Sequence, residues 1–584
     1  MPTRGLRRRT ITPQRDTLQS AVQFALNHLR APSRTTRSVA LLWSLLTAAA
    51  CGESAVSVTS ARGMPTGPPN TETPSLVPLT PATPLFQEVV LPESDLGNFQ
   101  YKGIGALAVG DVDGDGLQDI VTAADFAVFR NLGHLQFEDV TPSSGVELGS
   151  GLSLALGDMD NDSDLDLVVS GFQKTQVWAN DGSGHFSLAY EGFSTAELGA
   201  SNIVLLDLNN DGLLDIFLAY PASFNFRDPR VSTATLLNAG ALDFTESSSK
   251  TQRETPAIAW AAAIIDFDRD GDMDVYVAND SGVVDYGFGQ KETRDLELPG
   301  NHLWMNKQQP EQDLVEAALQ AGLNGRYSAM GALVEDFNGD GLFDIFTPDF
   351  GRNKIHLAQQ DGGFSEAAQS LGLGVSHLLE GECHEHSEDQ DCLLVSWGSA
   401  YRDFDLDGDS DLLVLNHREE VPQPAQLFVH SDSLFTEADS GIPLLAGHSL
   451  VPVDLDTDGD LDLLITTYYG QVRVFENTTR SIATTGDANR WLQVRLEGAQ
   501  SNRAGIGAVV EATLSFDGVT RSESRLVGAG GVAHASLPTA VHFGLGEAIV
   551  TRLAVRWPSG AVSYIDSPSP NRTLTVSESF SVAD

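Results

Sequence analysis

GDVDGDGLQDI, residues Gly110 to Ile120, packs Asp111, Asp113, Asp115 and Asp119 into nine positions. Like charges a few ångströms apart repel by about 1 to 4 kcal/mol per pair at effective dielectrics of 80 to 20. The spacing nevertheless returns six more times: DMDNDSDLD from Asp158, DLNNDGLLD from Asp207, DFDRDGDMD from Asp266, DFNGDGLFD from Asp336, DFDLDGDSD from Asp403 and DLDTDGDLD from Asp454. Positions one, five and nine are Asp in every copy, and position three is Asp or Asn. Position six is Gly except for Ser163 in the second copy. Self-similarity at this period marks a repeat architecture.

Both flanks of each copy read as strands. Runs such as Ala106–Val109, Ile203–Leu206 and Ala262–Ile265 precede it; Ile120–Thr122, Ile216–Leu218, Val275–Val277 and Leu463–Ile465 follow. Branched and aromatic residues around an Asp/Gly turn signal a β-hairpin. Later in most units comes an Asn among small residues, as at Asn131, Asn180 and Asn238, and then Phe with an acid, as at Phe137-Glu138. Four short strands per unit, seven units and no room for long helices predict an all-β chain built around a seven-bladed β-propeller spanning 86–480. Phe86-Gln87-Glu88-Val89 is a strand without a unit of its own, and the seventh unit lacks a fourth strand after Val472–Asn477. The N-terminal strand is therefore expected to complete the last blade.

Alternate side chains of a tight loop converge, so the odd positions, with the position-seven carbonyl, surround one centre. Candidate ligands are Asp111, Asp113, Asp115 and Asp119; Asp158, Asp160, Asp162 and Asp166; Asp207, Asn209, Asp211 and Asp215; and Asp266, Asp268, Asp270 and Asp274. The later loops add Asp336, Asn338, Asp340 and Asp344; Asp403, Asp405, Asp407 and Asp411; and Asp454, Asp456, Asp458 and Asp462. An oxygen-only, carboxylate-rich cage suits Ca²⁺, which takes about 6 to 8 oxygens, and up to seven ions are expected. Glycine at position six permits the left-handed backbone of the bend. Asn at position three predicts weaker sites in the third and fifth loops. An EF-hand would carry Glu at position twelve, where these loops have Thr122, Val169, Leu218, Val277, Thr347, Val414 and Ile465. The pattern resembles the FG-GAP/VCBS repeats of integrin α-subunit propellers and of many secreted bacterial proteins. That resemblance implies Ca²⁺ between the first two strands of each blade.

From Asn489 the aspartate loops stop. Asp517-Gly518 marks a hairpin and Pro558-Ser559-Gly560 a further turn, so 487–580 reads as a small all-β domain. Ser501-Asn502-Arg503, Gly505-Ile506-Gly507-Ala508, His542-Phe543-Gly544-Leu545-Gly546 and Trp557-Pro558-Ser559-Gly560 resemble the ASPIC/UnbV domain, which follows a repeat propeller in the cartilage acidic protein family and its bacterial relatives. Arg503 and His542 either form a polar site or hold turns and satisfy buried backbone groups.

The chain carries 35 Lys+Arg against 80 Asp+Glu, a formal charge of −45, which excludes nucleic acid as the expected partner. Residues 1–51 read as a leader ending in a secretory signal: Arg34 and Arg37, the apolar run Val39–Ala50, then small residues. Twelve apolar residues are too few to span a membrane. Ala48-Ala49-Ala50-Cys51 resembles the lipobox of bacterial lipoproteins, which implies lipidation at Cys51; ordinary cleavage near Ala50 is the alternative. The Ser/Thr/Pro/Gly-rich stretch 52–85 reads as a tether. Export makes a disulfide between Cys383 and Cys392 plausible, around an acidic loop in which His384 and His386 are candidate ligands for a transition metal. The 13 His form no ligand pattern, and no catalytic motif is recognisable. The expected function is an exported, calcium-binding module for adhesion to a protein or glycan. It would be a cell-surface or outer-membrane lipoprotein, or secreted, touching the membrane only through its lipid. An exported hydrolase or lyase acting on carbohydrate is the alternative, its site built from the insertion Asp280–Gly300, with Tyr286, Phe288 and Lys291, and the Cys383 loop.

Overall fold

The computed structural model describes residues 85–578, apart from 90–104, 124–125, 149–150, 172–173, 194–198, 222–231, 249–256, 286–290, 294–297, 308–313, 374–392, 419–420, 432–433, 480–488 and 529–533. Cys51, Cys383 and Cys392, the leader, all of the tether but Leu85, and Tyr286 and Phe288 lie outside the described residues. Among the described residues no helix is long and apolar enough to cross a membrane.

Seven four-stranded antiparallel sheets follow one another. Blade one holds Leu107–Gly110, Asp119–Thr122, Ala127–Asn131 and Phe137–Asp139; blade two Gly151–Gly157, Asp166–Gly171, Lys174–Asn180 and Phe186–Phe193. Blade three holds Asn202–Leu206, Asp215–Ala219, Thr233–Asn238 and Phe244–Glu246; blade four Ala259–Ile265, Asp274–Asn279, His302–Met305 and Val315–Glu316. Blade five holds Leu333–Glu335, Asp344–Thr347, Lys354–Ala358 and Phe364–Glu366; blade six Ser396–Arg402, Asp411–Arg418, Gln426–Ser431 and Leu434–Ala438. Blade seven has Gly447–Val453, Asp462–Thr467 and Val472–Asn477, and its fourth strand is Phe86–Val89, paired antiparallel from Phe86↔Asn477 to Val89↔Val474. Arg473 pairs with Glu88 across that seam, and Phe86, 1% exposed, meets Phe404 edge to face. The first strand of each blade touches that of the next, and blade seven touches blade one, so the ring is closed. Sheets covered on both faces need apolar residues at successive positions, and Asn202–Leu206 and Asp462–Thr467 are buried throughout.

The C-terminal part is a two-sheet sandwich. Val541–Gly546, Arg490–Glu497 and Thr573–Ser577 form one sheet; Val519–Leu526, Val509–Phe516, Ile549–Arg556 and Val562–Asp566 form the other. Phe543, Leu553 and Trp557 fill the space between. Asp517 and Gly518 take φ of 47° and 80° between Phe516 and Val519, the left-handed pair of a two-residue hairpin turn. One short piece leaves this sandwich: Ala535–Ser536 pairs in parallel with Leu107–Ala108 of blade one.

Candidate metal centres and the domain that covers them

Each aspartate loop joins the first and second strands of its blade, so all seven lie at one face of the ring. Position six is left-handed throughout, from φ 84° at Gly212 and Gly341 to 103° at Gly408, with Ser163 at 87°. Position four is left-handed as well, at Gly114, Asn161, Asn210, Arg269, Gly339, Leu406 and Thr457, which the sequence reading did not anticipate. Left-handed backbone costs a non-glycine residue about 1 to 2 kcal/mol, so the loops of blades two, three, four, six and seven hold stored strain, which Gly114 and Gly339 spare blades one and five.

The loop closes on its own carboxylates. Position one accepts the position-six N–H, at 2.9 Å for Gly116 to Asp111 and 2.8 Å for Gly212 to Asp207. Position nine has a role the sequence reading missed: one oxygen takes the N–H of position two and the other a third-strand N–H. Asp119 receives Val112 and Asn131, Asp274 receives Phe267 and Asn306, and Asp462 receives Leu455 and Asn477, at 2.7 to 3.0 Å. Asp166, Asp215, Asp344 and Asp411 are clamped the same way. A carboxylate oxygen keeps a second lone pair after one such bond, so position nine still has ligand capacity.

The third-strand asparagines reach further. Asn131, Asn180, Asn238 and Asn477 each donate from Nδ2 to the position-eight carbonyl of their own loop. They also donate to the position-two carbonyl of the preceding blade: Asn131 to Leu455, Asn180 to Val112, Asn238 to Met159, and Asn477 to Phe404, at 2.7 to 2.8 Å. Asn306 makes this second bond to Leu208 at 2.9 Å. The bond from Asn131 to Leu455 links blade one back to blade seven. Blade five has Ala358 here and blade six His430.

Burial and crowding dominate the electrostatics. Burial, reinforced by neighbouring carboxylates and opposed by the two backbone donors, raises position nine to about 7 in Asp119, Asp166 and Asp215 and to about 8 in Asp274, Asp344 and Asp411. Asp158 and Asp266 rise to about 6 and Asp454 to about 7, again chiefly through burial.

The donor set fits a hard cation. Oxygens of Asp111, Asp113 and Asp115 lie within 4.8 Å of one another, as do those of Asp158, Asp160 and Asp166; Asp266, Asp268 and Asp274; Asp403, Asp405 and Asp411; and Asp454, Asp456 and Asp462. Four oxygens, Oδ1 of Asp111, Asp160, Asp266 and Asp454, are buried with no hydrogen-bond partner, the condition a bound cation relieves. In blades three and five the asparagine amide fills part of that role: Asn209 donates to Asp211 at 2.9 Å and Asn338 to Asp340 at 3.3 Å. A bound Ca²⁺ would supply charge neutralisation and cross-linking of the first two strands.

The C-terminal sandwich sits on this loop face. Arg495 donates to the Gly116 carbonyl at 3.4 Å, the Arg503 N–H to Asn161 Oδ1 at 3.0 Å, and Asn489 to the Asp405 carbonyl at 3.3 Å. Arg521 binds the Gly408 carbonyl and Asp409. His542 Nε2 lies 3.0 Å from the Gly459 carbonyl, which can only accept, so that nitrogen carries the proton. The Arg503 guanidinium also donates to the Gly498 carbonyl at 3.4 Å, so in both Arg503 and His542 the side chain serves a backbone carbonyl, the second of the two readings. A buried ionic group, Arg525 and Glu523 with Glu335 and Arg402 of the ring, joins the two parts. Over blades four and five a cavity of about 420 Å³, lined by Asp266, Asp270, Gly341, Gln359, Val509 and Leu526, separates them.

Residues 111–169 and 158–218 match the family model described as FG-GAP-like repeat, and 498–582 match ASPIC and UnbV. No curated protein matches the chain. Among solved structures it is similar to an Agrocybe aegerita lectin described as recognising non-reducing terminal N-acetylglucosamine, at 16% identity over 57% of this chain and 79% of that one, TM-score 0.36. It is also similar to Saccharomyces cerevisiae Sqt1, at 12% over 80% and 100%, TM-score 0.38, and to the V. cholerae biofilm matrix protein Bap1, at 12% over 83% and 76%, TM-score 0.28. Together with the loop geometry, the family matches identify FG-GAP-like repeats in the ring and an ASPIC/UnbV domain on top of it.

Proposed function

We propose that the protein is an exported, calcium-stabilised binding module, held at the cell surface through lipid on Cys51, that engages a protein or glycan. The observation that carries this reading is the seating of the ASPIC/UnbV domain on the aspartate-loop face, which leaves the opposite end of the ring to a ligand. Loops on a rigid scaffold are the usual place for recognition. Screening the full chain against glycan and protein arrays, with and without Ca²⁺, tests the reading: calcium-dependent capture without chemical change is the expected result. Release of reducing or unsaturated sugars at catalytic rates would replace it with the second reading, a carbohydrate-active enzyme. One observation favours that alternative. At the end of the ring away from the aspartate loops Lys354 and His356 are buried, His356 Nδ1 has no hydrogen-bond partner, and the Tyr327 ring stands 6.1 Å from the His356 ring. Burial, with Lys354 beside it, pulls the His356 imidazole down to about 4 and keeps it neutral, the form a general base needs.

A further inference from the structure

The piece of the C-terminal domain that leaves its sandwich stands on the axis of the ring. Ala535–Ser536 pairs with the first strand of blade one and touches the first strands of blades two, three and seven. The carbonyl of His534, which precedes it, accepts the Leu107 N–H at 3.0 Å, and the His534 ring lies 6.1 Å from Trp260 of blade four. Five blades thus surround three residues. His534 is 1% exposed and left-handed at φ 59°, a strained backbone held by its surroundings. Its Nδ1 is 3.1 Å from His448 Nε2, and His448 Nδ1 is 2.8 Å from His417 Nε2, so three buried imidazoles form a chain across the axis. Register shifts at the start of the first strands of blades four, six and seven bracket Trp260, Trp397 and His448, and such bulges re-aim side chains.

The domain that carries His534 is seated on atoms whose positions the cation cages set. Arg495, Arg521 and His542 bind the position-six carbonyls of Gly116, Gly408 and Gly459. A methyl group on Gly544 would strike the Asp403 carboxylate, and one on Gly459 would strike Trp491. Position six follows directly on the fifth-position ligand, so a cage that spreads when its carboxylates lose their cation displaces the seat.

We propose that His534–Ser536 is a calcium-held stopper of the ring axis: cation binding shapes the loop face, the shaped face seats the ASPIC/UnbV domain, and the seated domain keeps His534 against His448. The inference rests on the calcium reading above. Coupling of this kind is reciprocal, so weakening the seat also weakens calcium binding at the loops of blades six and seven.

Diethyl pyrocarbonate labelling of the full chain, read by mass spectrometry at His448 and His534, tests it, with bound Ca²⁺ measured in parallel by equilibrium dialysis. Both histidines are expected to be protected in Ca²⁺ and labelled at least tenfold faster after chelation. Ca²⁺ bound with no difference in labelling overturns the stopper and leaves the calcium reading standing; no Ca²⁺ bound overturns both. Because chelation can unfold the whole ring, Arg521→Ala and His542→Ala, which remove seat contacts without touching a cation ligand, supply a second readout in saturating Ca²⁺. With the β-sheet circular dichroism intact, they are expected to raise His534 labelling at least threefold and weaken the calcium sites of blades six and seven. Wild-type protection in both folded variants overturns the stopper.

Discussion

The loops of blades three and five and those of the other blades are one nine-residue turn charged in two ways. With Asn209 or Asn338 at position three, an amide proton meets the fifth-position carboxylate inside the loop. With Asp at position three, that neighbour is another acceptor, and in blades one, two, four and seven a buried carboxylate oxygen is left without a partner. A loop can therefore quiet its own repulsion with a side-chain N–H or import a cation to do so. The first choice leaves a turn with less need of an ion; the second, on the calcium reading proposed above, makes the fold conditional on its medium.

Chelation should break the contrast most visibly. At free Ca²⁺ of 100 times Kd each occupied site adds about 2.7 kcal/mol, so exhaustive EDTA is expected to lower Tm by more than about 10 °C. An unchanged melting curve would remove the distinction altogether. The next largest effect is its pH dependence. Position-nine aspartates raised to about 7 or 8 bind protons in the metal-free fold that the unfolded chain releases near 4, so that stability is present below about pH 4 and lost as pH rises towards 8. The chelated protein should melt higher at pH 5 than at pH 8, and Ca²⁺ should reverse the order; equal Tm values in EDTA would contradict it. Exchanging the two loop types sharpens the comparison. Asp113→Asn is expected to weaken one calcium site about tenfold, about 1.4 kcal/mol, while making the EDTA-treated protein more stable, and Asn209→Asp should do the opposite on both counts. Titration calorimetry and melting in EDTA read the pair. Smallest and indifferent to metal is Ser163→Gly: relief of the left-handed serine should add about 1 kcal/mol with or without Ca²⁺, measured by urea unfolding.

Much of this was legible in sequence because the repeat is local. The nine-residue spacing located every loop, branched residues located the paired strands, and Phe86-Gln87-Glu88-Val89 stood out as a strand in need of a partner. Position nine could be read as a ligand but not as a clamp, since its donors include a third-strand N–H from a strand whose register sequence does not reveal. The asparagines were visible as a pattern at Asn131, Asn180 and Asn238; their targets were not, because Asn131 and Leu455 are 324 residues apart. His417, His448 and His534 looked scattered for the same reason. Nothing local to His534 tells that it leaves its own sandwich for the ring axis.

The asparagine bonds all run the same way, from each blade back to the loop of the one before, so the ring has a direction like a row of hooks each caught in its neighbour. Two hooks are missing, at Ala358 and His430. Blade five is caught neither to blade four nor by blade six through this bond, and its ties to its neighbours include instead the Glu335 group, shared with Arg402 of blade six and Arg525 of the capping domain, beside an open cavity. Loosening of the circle should therefore start at blade five, well away from blade seven, where Phe86–Val89 is sewn to Val472–Asn477.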